Sequence, residues 1–117
     1  MILLVNKTTP KPGVTVLHMK GSIHSGPDCR RVEQEVEQLI GANTFVILDL
    51  TEVTHIDSAA IGSIVRCLTR TKDAGGKLCL AGCAGMIEAS LKLTRLDQVL
   101  EIFPTAAAAA EKHSAAN

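Results

Sequence analysis

The sequence predicts an α/β fold in one domain over residues 1–117, with a mixed β-sheet of about four to five strands flanked by about four α-helices. Short apolar runs alternate along the chain with segments whose apolar residues recur at helical spacing, which is typical of layered α/β domains. Hydrophobic residues make up 46% of the chain and aromatic residues 2%. One aliphatic core can therefore form, and the length leaves no room for a second domain.

Two strands are predicted to open the chain and to pair as a hairpin. Residues 2–5 form a short apolar run, and residues 14–19 are β-branched and apolar enough for a strand. Residues 10–13, Pro-Lys-Pro-Gly, should form a loose turn between them. An apolar first strand could pair at its edge with another chain, so the oligomeric state stays open.

Residues 25–41 predict an amphipathic surface helix. Ser25 is placed as its N-cap and Pro27 in its first turn. Gly41 should end it as a left-handed cap. The apolar face comprises Val32, Val36, Leu39 and Ile40, and the charged face, expected to be solvated, comprises Glu33, Glu35 and Glu37.

A central strand and a second helix follow. Residues 45–50, FVILDL, form a near-continuous apolar run of the kind that is covered on both faces of a sheet. After residues 51–56, a helix should begin at Ser58 and stop at Gly75-Gly76. Its apolar stripe is Ile61, Ile64, Val65 and Leu68.

The remaining segments continue the alternation. Residues 77–81 predict a strand, and a third helix should end before Leu96. Residues 99–103 predict a last short strand, and residues 106–113 an alanine-rich helix before a frayed tail. The third helix is indicated by Met86, Ile87, Ser90, Leu91 and Leu93.

Composition restricts the possible partners. The formal net charge is zero, whereas nucleic-acid binders usually carry a basic excess. No apolar run reaches the ~18–20 residues that span a bilayer, and the first residues lack a charged leader followed by a long apolar region. We therefore expect a cytoplasmic protein with no nucleic-acid partner and no membrane insertion.

The cysteines are expected to be buried, reduced thiols, and no cofactor or metal is predicted. No CxxC pair or histidine partner completes a zinc pattern, and a cytosolic chain with a large core does not need disulfides. The four are Cys29, Cys67, Cys79 and Cys83.

The stretch THIDSAAIGSIV, residues 54–65, places an aspartate and a serine where the central strand meets the second helix. Asp57 and Ser58 are both good N-cap residues, so a purely structural role is one interpretation. A hydrolase triad of His55, Asp57 and Ser58 is disfavoured by its spacing and by the absence of a GxSxG elbow. No matching acid is apparent for the remaining histidines, and no catalytic residue is predicted; these histidines are His18, His24 and His113.

The third interpretation is a modification site at Ser58. A phosphate there would meet the positive end of the helix, and the neighbouring Asp57 would oppose it. Because these effects roughly cancel, phosphorylation would leave the fold intact and add about two negative charges to the surface. A partner docked there would be repelled.

Several segments together resemble the STAS domain family, specifically the small bacterial anti-sigma factor antagonists. The family motif, roughly Asp-Ser-Ser/Thr/Ala-Gly-Leu/Ile-Gly, stands here as DSAAIG at residues 57–62. FVILDL precedes it, and AGGKLCLAG and LKLTRLDQVLEIFPT follow it in the family's order. The resemblance covers about residues 13–112.

This resemblance implies a non-enzymatic binding module. In the family's antagonists, the serine after the motif aspartate is phosphorylated by an anti-sigma factor that is also a serine kinase, and a phosphatase of the PP2C type resets it. By position, Ser58 would be the phosphorylated residue. The partner-binding surface would comprise His24, Asp57, Ser58, Ala59, Ala60, Ile61 and Gly62.

Three positions depart from the family pattern. His24 stands where the family often has aspartate, and Ala60 and Arg95 stand where it has glycine. His24 and Ala60 favour an alternative: a STAS scaffold subunit of a signalling or lipid-transport complex that is never phosphorylated. The intact Asp57-Ser58 pair favours the switched antagonist.

Overall fold

The computed structural model describes residues 2–112. They form a five-stranded sheet in the order β1-β2-β3-β4-β5, in which β1 is antiparallel to β2 and all other neighbours are parallel. The strands are β1 Leu4–Lys11, β2 Val14–Ile23, β3 Phe45–Ile56, β4 Lys77–Ala81 and β5 Ile102–Phe103. The helices are α1 Pro27–Glu37, α2 Ser58–Asp73, α3 Gly85–Leu93 and α4 Ala106–Lys112. The predicted fold class is confirmed.

The sheet has a core on each face. On one face, β2 and β3 side chains such as Leu17 and Leu48 pack against α1, α2 and α3. On the other face, Ile47 packs against the alanines of α4. Leu17, Ile47 and Leu48 are all fully buried. The apolar run predicted to be covered on both sides therefore lies between two layers of helix.

The first hairpin is tighter and longer than predicted. Lys11 pairs with Val14, so only Pro12 and Gly13 form the turn. β1 runs through Pro10, which an edge strand tolerates because one side of its backbone needs no partner. The prediction of a loose turn over residues 10–13 is therefore wrong.

Both predicted caps of the first helix are also wrong. Gly26, with φ 92°, is the N-cap, and no side chain caps the helix there. Pro27 does occupy the first turn, as predicted. The helix ends at Glu37, and Gly41 is not among the residues with positive φ; Asn43, with φ 64°, is.

The later elements agree more closely with the sequence. The strand at residues 77–81 is confirmed, and α2 ends before Gly75, which has φ 85°. The last strand covers only Ile102–Phe103, because residues 99–101 form a turn and an irregular segment that follow a 3-10 turn at Leu96–Gln98. The last predicted helical residue, position 113, and the tail lie outside the described residues.

The register of β3 creates the rim that carries the site. β3 pairs with β4 only as far as Asp49, opposite Ala81, but it pairs with β2 as far as Ile56, opposite Ile23. The end of β3 therefore extends beyond β4, and the start of α2 lies beside the end of β2. Within residues 2–112, no helix is long and apolar enough to cross a membrane.

Candidate functional site: the start of helix α2

Asp57 and Ser58 have separate roles at the junction of β3 and α2. Asp57 is the N-cap, with extended backbone (φ −104°, ψ −179°), and its Oδ1 accepts a hydrogen bond from the Ala60 N–H at 2.8 Å. Ser58 is the first helical residue, and it is exposed. The cap interpretation therefore holds for Asp57, and the serine remains accessible at the rim.

The second carboxylate oxygen of Asp57 joins this junction to the loop that precedes α1. Asp57 Oδ2 accepts from the Ser25 N–H at 2.8 Å, and the Asp57 N–H donates to the Ile23 carbonyl at 3.3 Å. His24 Nδ1 lies 3.8 Å from the same Oδ2. One side chain thus holds the starts of two helices next to each other.

These contacts stabilise the ionised form of Asp57. Hydrogen bonds from the backbone N–H groups of Ala60 and Ser25 lower the pKa of its carboxyl group, and the nearby His24 acts in the same direction. A carboxylate that accepts two N–H bonds is a fixed negative charge at neutral pH. The surface beside Ser58 therefore already carries one anion.

The variant Asp57→Asn tests this arrangement through pH. Because the folded-state pKa is lowered, the carboxylate contributes stability above its unfolded-state pKa of about 4, and this contribution is lost as the pH falls through the folded-state value. Asparagine keeps one acceptor oxygen but no charge. We expect Asp57→Asn to melt below the parent at pH 5, and the gap to close towards pH 3. Melting curves followed by circular dichroism measure this, and a gap that is constant down to pH 3 would contradict it.

The other predicted surface residues differ in exposure. Ala59, Ile61 and Gly62 are half-buried, and His24 is exposed. Ala60 has no exposed surface, and its methyl group packs in the core below the helix. The methyl group that distinguishes Ala60 from the family's glycine therefore faces the core of this chain.

Arg95, the third departure, lies in a left-handed turn after α3, with φ 60° and ψ 23°. Glycine adopts this conformation without penalty, whereas other residues pay roughly 1–2 kcal/mol. The chain therefore keeps a turn suited to glycine and accommodates the exposed Arg95 side chain.

His18 and His24 do have acidic partners, contrary to the sequence prediction. His18 Nδ1 lies 2.7 Å from Asp49 Oδ2, and His18 Nε2 lies 3.0 Å from Thr8 Oγ1. Thr51 donates to Asp49 Oδ1 through its N–H and its hydroxyl. Burial opposes ionisation of Asp49, but the bonds from Thr51 and His18 outweigh it and lower its pKa. This line of contacts joins β1, β2 and β3.

The candidate triad at the rim is not assembled. His55 Nδ1 faces the Thr54 hydroxyl at 3.1 Å, while both oxygens of Asp57 accept backbone N–H groups. His24, not His55, is the imidazole beside Asp57. The position of His113 lies outside the described residues.

A polar network between α1 and α2 was missed by the sequence analysis. The hydroxyl of Ser63, a residue only 1% exposed, donates to Glu33 Oε2 at 2.5 Å, and Arg66 Nη2 donates to the same oxygen at 3.1 Å. Bonds from Arg66 and Ser63 lower the pKa of Glu33. The expectation that this glutamate is merely solvated is wrong, because it fixes the first two turns of α2 against α1.

The cysteines are free thiols, and three of the four are buried as predicted; Cys83 is half-buried. Burial raises the pKa of Cys67 and of Cys79 to about 12, and that of Cys83 to about 11. Little thiolate exists at neutral pH, so these groups are poor nucleophiles and ligands. Across the described part of the chain, no group of three or more His, Cys, Asp or Glu side chains is placed to hold a metal ion.

The chain folds as a small α/β domain that has three helices on one face of a mixed sheet and one helix on the other. The chain belongs to the STAS domain family, whose model matches residues 7–109. The resemblance noted from the motifs is therefore confirmed.

Individual relatives share this fold. A candidate anti-sigma factor antagonist of Thermotoga maritima is 34% identical over 67 residues, which are 57% of this chain and 59% of that protein. The match thus spans about three-fifths of the relative's length. The crystal structure of a candidate antagonist from the same species has 25% identity and a TM-score of 0.82, covering 93% of each chain. The antagonist SpoIIAA in its unphosphorylated form has 14% identity and a TM-score of 0.78, covering 93% of this chain and 95% of that one. At that identity, the likeness to SpoIIAA shows the fold alone.

Proposed function

We propose that this chain is an anti-sigma factor antagonist that binds an anti-sigma factor with serine kinase activity through the surface around Ser58. Phosphorylation of Ser58 by that kinase ends the complex, and a PP2C-type phosphatase restores it. The observation that carries the proposal is the exposed Ser58, placed as the first residue of α2 directly after its capping aspartate. The names of the Thermotoga relatives support the antagonist role.

The geometry explains why a phosphate at this serine would release a partner without unfolding the domain. The N-terminus of α2 favours an added anion by about 0.3–1 kcal/mol, and the fixed carboxylate of Asp57 opposes it. The net effect on folding is small because the two contributions oppose each other and Ser58 is exposed. A partner surface that closes over the rim would instead face two adjacent anions and lose affinity.

The chain works by binding in this proposal, and no reaction is assigned to it. The half-buried Ala59, Ile61 and Gly62 supply the contact area next to Ser58, and Ala60 supports them from below. The partner kinase phosphorylates Ser58, and it then binds the phosphorylated surface more weakly.

Phosphate mapping tests the proposal. The protein is incubated with candidate anti-sigma kinases and ATP, and the modified residue is located by mass spectrometry. We expect one phosphate, on Ser58, that a PP2C phosphatase removes and that Ser58→Ala abolishes. Thr69→Ala is the matched control in the same helix, because Thr69 also carries an exposed hydroxyl and its loss should not remove the modification site.

Two results would count against the switch. Phosphate on another residue would contradict the assignment of Ser58. Tight capture of signalling or lipid-transport subunits, with no modification by any kinase tested, would favour the STAS scaffold alternative.

A further inference from the structure

His24 is positioned beside the negative charge that precedes Ser58. Its Nδ1 lies 3.8 Å from Asp57 Oδ2, and its side chain is 56% exposed. The Asp57 oxygens each accept a backbone N–H at 2.8 Å, from Ser25 and from Ala60, so the carboxylate is held in place. The imidazole therefore faces solvent next to a fixed anion, at the rim where the serine is exposed.

We propose that His24, as an imidazolium, binds the phosphate group on Ser58 and makes the phosphorylated state of this protein dependent on pH. The inference rests on the proposed function, because it concerns the same serine. Ser58 follows Asp57 directly and is exposed, so a phosphate there adds a second anion to the rim on which His24 lies beside the first. An ion pair would then join the loop before α1 to the start of α2.

Two acidic side chains lie around His24. Asp57 faces its ring, and Asp28, in the first turn of α1, accepts a bond from its backbone N–H at 3.1 Å. The Cys29 thiol contacts its carbonyl oxygen, and His55 on β3 is turned to Thr54. Within the described chain, His24 is the one basic side chain that the structure pairs with Asp57.

The proposed ion pair between His24 and the phosphate should depend on pH in one direction. Only a protonated imidazole can pair with the phosphate, so the ion pair is favoured as the pH falls. A nearby cation favours the doubly charged phosphate over the singly charged one. A phosphate held by His24 is also less available to a phosphatase, so the phosphorylated state should last longer at pH 6 than at pH 8.

The experiment uses the full chain with phosphoserine installed at position 58 during synthesis, so no kinase is needed. The ³¹P chemical shift is followed from pH 4 to pH 9. We expect the second ionisation of the phosphate to occur with an acid dissociation constant about two- to tenfold higher than in His24→Gln. His55→Gln, which removes another exposed imidazole at this rim, should leave the constant unchanged.

A permanently charged variant separates charge from shape. His24→Arg should keep the raised dissociation constant and should protect the phosphate from a PP2C phosphatase at both pH 6 and pH 8. The parent should be protected relative to His24→Gln more strongly at pH 6 than at pH 8. Equal ionisation curves for the parent and His24→Gln would overturn the inference even if kinases modify Ser58. If the ionisation curve of the parent is shifted relative to His24→Gln but no kinase modifies Ser58, the inference stands and the proposed function fails.

Discussion

Replacing Gly82 with alanine is expected to destabilise the protein by about 2–5 kcal/mol. Gly82 has φ +71°, which already disfavours a side chain. A Cβ atom there would lie 2.9 Å from the N and from the Cα of Thr51, and would also meet the Thr51 hydroxyl oxygen. Because the obstruction is the backbone of β3, relief requires moving the strand that leads to Asp57 and Ser58.

Gly85→Ala is the matched control for this prediction. Gly85 also has a left-handed φ, +57°, but no atom lies within 4 Å of a Cβ built there. The control therefore carries the dihedral penalty without the steric one. In thermal melts, we expect Gly82→Ala to lower Tm by roughly 10 °C or more and Gly85→Ala to lower it much less. Similar losses for the two variants would show that β3 yields easily at Thr51.

The sequence was sufficient to predict the strands and helices that their own residues determine. The strand at residues 77–81 and helices α2 and α3 follow from apolar spacing, and Gly75-Gly76 marks the end of α2. The polar half of β3, residues 51–56, has no such pattern. It is a strand because β2 pairs with it as far as Ile23 opposite Ile56, and this tertiary contact has no signature in the local sequence.

The candidate site was likewise predictable only where local sequence signals determine it. The Asp57-Ser58 pair before an apolar helical stripe indicated both a cap and an accessible serine. The bond from Ser25 to Asp57 and the pairing of His18 with Asp49 could not be foreseen, because each joins residues more than 30 positions apart through the sheet register. The role of Glu33 could not be foreseen for a similar reason, because its partner Ser63 lies 30 positions away on another helix.

Ser58→Asp should separate the function of the rim from its stability. We expect this variant to bind the anti-sigma kinase at least tenfold more weakly, because an interface that closes over the rim must bury or repel a second carboxylate beside Asp57. We expect its free energy of unfolding to stay within about 1 kcal/mol of the parent, since an acidic residue in the first turn of a helix is favoured by the dipole and opposed by Asp57.

Thr69→Asp provides the matched charge control, because Thr69 is an exposed residue of α2 that lies roughly 16 Å further along the helix. Isothermal titration with the kinase should show little loss for Thr69→Asp and for Ser58→Ala, while chemical denaturation compares the stabilities of all three. If Ser58→Asp unfolds the domain, the serine is a structural residue of the helix start. If Thr69→Asp weakens binding as much as Ser58→Asp does, the partner responds to net charge, and a switch confined to the first turn of α2 is excluded.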